Sequence, residues 1–384
     1  ARPRSAEWFA RCTKRGQTQD RCRPCVVQLP TVRESLHSPS GVDPVGSDSR
    51  AAAIQVSLSR ESRDDEWDRF VSELPGAQHQ QTTCWARAKR EDGWQVVRTT
   101  LRHRGEIVGG AQLLYHRVSR FGRVGYVPYG PCLTEGLPDL TGIAIDALLR
   151  MARAARIGYL LVDLGHASHR LPPRFHAAGF RPHPTTVPPV RMMSATTLID
   201  LTADSDQILA RMRRSTRYNI RLGLRHGVRI REGGASDIDL FHSLMVATST
   251  RRGETPNPAS AEMFHRIWRE YHPRGWVRLS FAVYQGETVC GDFGFAFADT
   301  YRQWKFGWSG RHRECKASDV LCWDSITWAK QRGFTQLDLV QVDPEVAAAV
   351  TSGSPVPPAL KTRRLYGPTN HKMGFGGRLV HLPR

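Results

Sequence analysis

The chain has 384 residues, enough for two ordinary domains that each bury a core. Its 55 Lys and Arg against 36 Asp and Glu give a net charge of +19 and a pI near 10.2, which favours polyanionic partners such as RNA, DNA or phosphorylated substrates. No apolar run is long enough to cross a bilayer and no charged n-region precedes an apolar h-region, so no membrane span or secretory signal is expected and the cytoplasm is the expected compartment.

The eight cysteines, at 12, 22, 25, 84, 132, 290, 315 and 322, follow no disulfide-scaffold rhythm, and reduced thiols are expected. Cys22-Arg-Pro-Cys25 has no second pair at zinc-finger distance, so no metal site is expected there. Residues 1–53, rich in Arg, Ser, Pro and Gln, read as a disordered leader or an upstream extension. They carry only +4 of the charge, so the basicity belongs to the remainder.

From Ile54 the pattern is regular. A short strand precedes a helix through Asp65–Leu74, with Trp67, Phe70 and Val71 on one face, and a second short helix follows over 80–89. Strands at Gln95–Leu101 and Ile107–Tyr115 are joined by a turn at Arg104-Gly105-Glu106. After Tyr126-Val-Pro-Tyr-Gly-Pro131, a helix from about Thr141 to Ala155 leads into a buried strand at Tyr159–Leu164 and a small helix ending near Gly179.

The same order returns further on. Gly105 to Gly110 is answered by Gly286 to Gly291, Arg156 to Asp163 by Gln331 to Asp338, and Ala178-Gly-Phe180 by Met373-Gly-Phe375. Three pairs in one order imply an internal duplication. The expected division is 1–53, a first domain over 54–190 and a second over 191–384, with the last strand a candidate to complete the first domain.

Between the copies lies a basic helix over 207–226. Arg213, Arg217, Arg221 and Arg225 recur every fourth residue, which stacks four guanidinium groups on one face. Ile208, Leu209, Met212, Ile220 and Leu224 are the positions available to anchor it. The row suits a nucleic acid phosphate backbone or is a solvated basic face.

The repeated unit resembles the acetyltransferase (GNAT) fold, and the tandem pair resembles the FemABX family of aminoacyl-tRNA-dependent peptidyl transferases. The residues that carry this likeness are Gln81-Thr-Thr-Cys-Trp85 with Lys89 and Gly93-Trp94; Tyr126 to Pro131; Ser215-Thr-Arg-Tyr-Asn-Ile220 with Gly227-Val228; Trp304-Lys-Phe-Gly307; and His371-Lys372 before Gly374-Phe375-Gly376. The resemblance implies an α+β fold of two tandem GNAT-like domains. Residues 229–276 hold no heptad run for the coiled-coil arm that some members carry. It implies transfer of an amino acid from aminoacyl-tRNA to the amine of a peptide acceptor, either a cell-wall precursor or a peptide natural product. No cofactor is expected, and a monomer is.

An aminoacyl ester is already activated, so the reaction needs positioning and a positive group near the tetrahedral oxyanion. By resemblance Lys372, expected in a loop, is that group, and His371 beside it is placed to stack on a base or to titrate. Lys89 matches the lysine that faces the diphosphate of nucleotide-linked acceptors in cell-wall relatives. Where those relatives tend to show Arg and Tyr four apart, the chain has Ser260 and Phe264, and a later Tyr becomes Phe306; Arg251 and Arg252 are the available substitutes. Trp304, Phe306 and Trp308 alternate along one strand and are read as sharing one face, as core or as the wall of an acceptor groove. The tRNA contacts expected are Arg213, Arg217, Arg221 and Arg225. The alternative is an acyl-CoA-dependent N-acyltransferase on the same fold. Its phosphate loop is missing: Arg120-Phe-Gly-Arg-Val-Gly125 has the wrong spacing.

Overall fold

The computed structural model describes residues 53–118, 122–165, 168, 170–182, 193–353 and 355–382. Residues 1–52 with the Cys22/Cys25 pair, Arg120 with Phe121, and the expected domain boundary at 190/191 lie outside the described residues.

The first lobe runs β1 (Gln55–Ser59), α1 (Asp65–Glu73), α2 (Thr83–Arg90), β2 (Gln95–His103), β3 (Glu106–Arg117), β4 (Arg123–Val127), β5 (Cys132–Leu133), α3 (Leu140–Ala154), β6 (Ile157–Val162) and α4 (Pro172–Ala177). Asp64 starts α1 by accepting the Trp67 amide at 2.9 Å, and Thr82 starts α2 by accepting that of Trp85. The sheet order is β1-β2-β3-β4-β6, with β5 beside β3. Among the described residues of this lobe only β4 and β6 pair in parallel, and α3 makes the crossover between them. Leu140, Ala144, Ile145, Leu148 and Met151 recur at helical spacing and bury α3 on the lobe's core.

The second lobe runs β7 (Ala195–Asp200), α5 (Ser205–Arg211), α6 (Arg214–Arg225), β8 (Arg229–Glu232), α7 (Ile238–Arg251), α8 (Glu262–Tyr271), β9 (Val277–Tyr284), β10 (Glu287–Phe297), β11 (Thr300–Trp308), α9 (Ala317–Gln331), β12 (Gln336–Asp338), α10 (Pro344–Thr351), α11 (Pro358–Lys361), α12 (Tyr366–Met373) and β13 (Arg378–His381). Its order is β13-β7-β12-β11-β10-β9-β8, with β11 and β12 the parallel pair and α9 their crossover. The succession β8, β9, β10, β11, α9, β12 repeats β1, β2, β3, β4, α3, β6. Both hairpins turn through two residues of positive φ, Arg104 (53°) with Gly105 (88°) and Gln285 (51°) with Gly286 (80°). That is the turn whose twist matches two antiparallel strands. The last strand does not complete the first sheet: β13 pairs antiparallel with β7 in the second.

The lobes share a core. Cys84, Trp85 and Ala88 of α2 pack with Phe241, Phe264, Trp268, Phe281 and Phe293 of the second lobe. Arg87 pairs with Glu270 at 2.6 Å, and Arg266 with Asp92 at 2.6 Å. His79 stacks on Phe295 with ring centroids 3.4 Å apart.

Three expectations need correction. The basic helix over 207–226 is two helices, because Met212 and Arg213 are extended (ψ 151° and 148°). There the chain meets the loop after α12, with the Arg213 amide donating to the Gly374 carbonyl at 2.9 Å and Gly376 lying against Arg211. Leu224 does not anchor α6, being 52% exposed, whereas Ile208, Met212 and Ile220 are buried. Finally, the aromatics of β11 do not share a face. Opposite Phe293–Phe295 of β10, β11 spans Lys305 to Arg302, one residue more than its partner. That extra residue reverses the alternation. Trp304 therefore packs on Phe264, Phe293 and Phe295 in the shared core, while Phe306 packs on the cluster of Val228, Ala282 and Val320.

Candidate active site between the lobes

At the carboxyl end of each parallel pair stands an aspartate: Asp163 just after β6 and Asp338 at the end of β12. Both are buried, and Arg302 of β11 lies between them. Its guanidinium pairs with Asp338 at 3.0 Å, faces Asp163 and Tyr129, and lies 5.6 Å from the Tyr129 ring. Asp163 accepts from the Tyr126 hydroxyl at 3.1 Å. Burial pushes the Asp163 carboxyl up to about 7, against the opposing pull of Tyr126 and Arg302. Tyr126 and Tyr129, both half-buried, give this polar cluster its edge toward solvent.

Asp338 also straps the loop that follows it. Its carboxylate accepts the Thr196 hydroxyl and the Val340 amide, the latter at 2.7 Å. Val340 sits at φ 51°, a conformation that costs a β-branched residue roughly 1–3 kcal/mol. The strained loop turns its carbonyls to Lys372, whose ammonium donates to Gln341 at 3.0 Å and to Val340 at 3.4 Å. Lys372 lies in the last turn of α12 and not in the loop expected from sequence, because Thr369, which accepts the Asp343 amide at 2.9 Å, and Met373, packed on Val342 and Ala347, are buried and fix that helix. Burial pushes the Lys372 ammonium down to about 8; Arg252 and Lys305 add to the effect and Asp338 opposes it. The group is thus held by two carbonyls with a third proton unassigned.

Arg252, exposed at the end of α7, is therefore in electrostatic reach of Lys372. Lys89 pairs with Asp92 at 3.1 Å and lies 5.7 Å over the Trp85 ring. Lys305 was not among the sequence candidates. Its ammonium is 5.0 Å from the Trp304 ring, burial pushes it down to about 8, and Lys89 adds to that. The Trp85 and Trp304 rings meet edge-on at 6.3 Å, so these two lysine–tryptophan pairs face each other across the lobe boundary. Lys89 acts on Lys305, and Lys305 and Arg252 act on Lys372, so a run of cations follows the lobe boundary.

His371 lies edge-on to Phe375 at 5.2 Å. Desolvation holds its imidazole below the usual range, while Asp319 pulls it upward; Asp319 itself accepts from Asn219 of α6 at 3.4 Å. Other expected residues are not at the site. Phe264 is fully buried among Phe241, Phe293 and Trp304, so it is core and cannot touch a substrate. Phe306 packs within the second lobe. Ser260 is exposed in the segment before α8.

The arginine row divides. Arg213 donates to the Asn370 side chain at 2.9 Å and its carbonyl at 3.0 Å, anchoring α12 beside His371 and Lys372. Arg217 caps the end of α5, donating to the carbonyls of Ala210 at 3.0 Å and Met212 at 2.6 Å. Arg221 and Arg225 point outward with no acidic partner among the described residues. The break at Met212-Arg213 is what separates the two roles.

Comparison with known proteins places two family models in tandem on the two lobes. The FemAB family model matches residues 62–163, and the acetyltransferase (GNAT) domain model matches 210–345. The chain belongs to the FemABX family. This FemABX chain is 26% identical over 223 residues to the lipid II:glycine glycyltransferase of Staphylococcus aureus (strain MRSA252), a match that covers 56% of the chain and 52% of that relative. It thus spans about half the length of the curated relatives it matches. Among solved structures, FemX superposes with a TM-score of 0.69 at 17% identity, covering 83% of this chain and 94% of FemX. A conserved protein of unknown function from Bacteroides thetaiotaomicron VPI-5482 has a TM-score of 0.51 at 7% identity, covering 85% of this chain and 98% of its own. Both similarities are of fold. Among the described residues no helix is long and apolar enough to cross a membrane.

Proposed function

We propose that this FemABX protein forms a peptide bond without the ribosome, transferring an amino acid from aminoacyl-tRNA to the amine of a peptide acceptor, a peptidoglycan precursor or a peptide natural product. The acceptor nitrogen attacks the ester carbonyl carbon and a C–N bond forms. The oxyanion collapses, the C–O bond to the ribose breaks and the ribose oxygen leaves protonated. The nitrogen gives up as many protons as the ribose oxygen takes, and the Tyr126–Asp163 pair is the group able to carry one at neutral pH. Lys372 faces the oxyanion with the proton that Val340 and Gln341 leave unassigned.

The observation that carries this reading is Lys372 itself, an ammonium fixed by two carbonyls and within electrostatic reach of Asp338, whose partner Arg302 also faces Asp163, the titratable carboxyl of the other lobe. The lipid II:glycine glycyltransferase likeness supports a cell-wall acceptor, and the run of cations through Lys89, Lys305 and Arg252 suits an acceptor that carries negative charge. The test is incubation with mixed charged tRNAs and either cell-wall precursors or peptide metabolites, followed by mass spectrometry of the acceptor. A mass increase of one amino acid that depends on the charged tRNA is expected. Acylation from a CoA thioester with no consumption of charged tRNA would replace this reading with the acyl-CoA one.

A further inference from the structure

The outward face of α6 takes no part in the cleft, and its chemistry is unlike the rest of the surface. α6 is pressed onto α9: a Cβ at Gly223 would stand 2.5 Å from Val320 and 2.8 Å from the Cys315 carbonyl, and Thr216 and Ile220 are buried on the same side. The helix cannot roll, so its opposite face is fixed outward. There stand Tyr218, 55% exposed, and Leu224, 52% exposed, the two most exposed large apolar side chains among the described residues. With Arg221 and Arg225 they line a shallow recess of about 500 Å³. Tyr218, Arg221 and Arg225 follow one another at i, i+3 and i+7, so they form a single stripe.

α6 contains no acidic residue. Arg214 and His226 extend the positive charge at its ends, and the acid that faces His226 is Glu314, itself beside His312. Two like charges at i and i+4 repel, and an exposed aromatic gains nothing from water. Both features become favourable against a ligand that is flat and apolar on one part and anionic on the next. A nucleotide has that build: its base stacks on an aromatic ring while its phosphates meet the guanidinium groups. A membrane surface asks for a continuous apolar stripe, and here Arg221 lies between Tyr218 and Leu224.

We infer that the Tyr218–Arg221–Leu224–Arg225 face is a stacking platform for an unpaired segment of RNA, Tyr218 taking a base and the two arginines the neighbouring phosphates. This rests on the reading of a tRNA as donor and names where, outside the cleft, that donor is gripped. The N-terminal end of α6 touches α12 through Arg213 and Asn370, so the helix that carries the platform also anchors the helix that carries His371 and Lys372.

The test uses the full chain with bulk tRNA, a blunt RNA duplex and phosphatidylglycerol vesicles as probes. Tyr218→Ala is expected to weaken tRNA binding by about 5- to 100-fold at fixed salt while leaving the salt slope unchanged, and Tyr218→Phe to keep it within about twofold. The double variant Arg221→Gln/Arg225→Gln is expected to flatten the salt slope by about 1.4. Duplex binding should ignore Tyr218. Equal tRNA affinity in Tyr218→Ala and the parent, or a Tyr218-dependent affinity for the vesicles in place of RNA, overturns the platform. If transfer from charged tRNA proceeds while Tyr218 has no effect on binding, only the platform fails. If the parent binds tRNA through Tyr218 yet transfers nothing from it, the platform stands and the proposed reaction fails.

Discussion

Asp163 and Asp338 occupy matching positions in the two lobes, each at the end of the second parallel strand, and a single guanidinium, that of Arg302, treats them differently. It pairs with Asp338 at 3.0 Å and only faces Asp163, which accepts from the Tyr126 hydroxyl at 3.1 Å. The duplication has thus produced one carboxylate that organises a loop and another free to titrate near neutrality.

The pH dependence of transfer follows from that difference. With its carboxyl at about 7, Asp163 holds its proton below that pH and accepts one above it, so the rate should rise through about pH 7. In Asp163→Asn the rising limb should vanish with the rate low throughout. Stability has the opposite sign. An unfolded Asp ionises near pH 4, so between about pH 4 and 7 the unfolded chain has lost a proton that the folded one keeps, and stability falls as pH rises. Urea unfolding of Asp163→Asn at pH 5 and 8 should show a smaller loss than the parent. An unchanged rate profile would remove Asp163 from the proton path.

In the proposed reaction Lys372 acts in the charged form, so transfer should decline above about pH 8 as its ammonium deprotonates. Lys372→Ala is expected to lower the single-turnover rate on the order of 10²- to 10³-fold, the usual result of removing an oxyanion donor. Acceptor affinity should change much less. A loss in binding with an unchanged rate constant would make the residue an acceptor contact.

Phe264 is the sharpest disagreement between the linear pattern and the folded chain. As a fully buried ring touching Phe241, Phe293 and Trp304, it should cost about 3–5 kcal/mol on truncation to Ala, measured by denaturant unfolding. Phe264→Leu should recover most of that stability with an unaltered acceptor KM. A raised KM in the folded Leu variant would return the ring to the binding site.

The duplicated architecture was legible because it rests on local chemistry: two-residue turns at Arg104-Gly105 and Gln285-Gly286, and apolar strands following amphipathic helices. The register even paired Asp163 with Asp338. Asp163 did not read as a site and Asp338 stayed outside the catalytic set, because what distinguishes them is Arg302, more than a hundred residues from Asp163. The split of the arginine row was illegible for a similar reason: the break at Met212-Arg213 is set by the loop at Gly374 to Gly376. Lys305 was missed because one extra residue in β11 reverses which side chains face the cleft, and a period-two reading has no signal for it.

Lys305 therefore gives the last prediction. It has no acidic partner among the described residues, it lies over Trp304, and Lys89 and Lys372 are both in electrostatic reach. An ammonium with no acidic partner beside that ring is available to an anionic acceptor. Lys305→Met should raise KM for an anionic acceptor by roughly tenfold or more, the size of a lost hydrogen bond to a charged group. KM for a neutral acceptor analogue should hold. Removing a positive neighbour also lets Lys372 keep its proton longer, so the alkaline limb near pH 8 should move upward. Lys305→Arg preserves the positive charge, so KM should stay near the parent value and the limb should not rise. A KM that ignores both substitutions while the limb shifts would confine Lys305 to tuning Lys372; a limb that ignores both would separate the two lysines in solution and leave Lys305 to the acceptor alone.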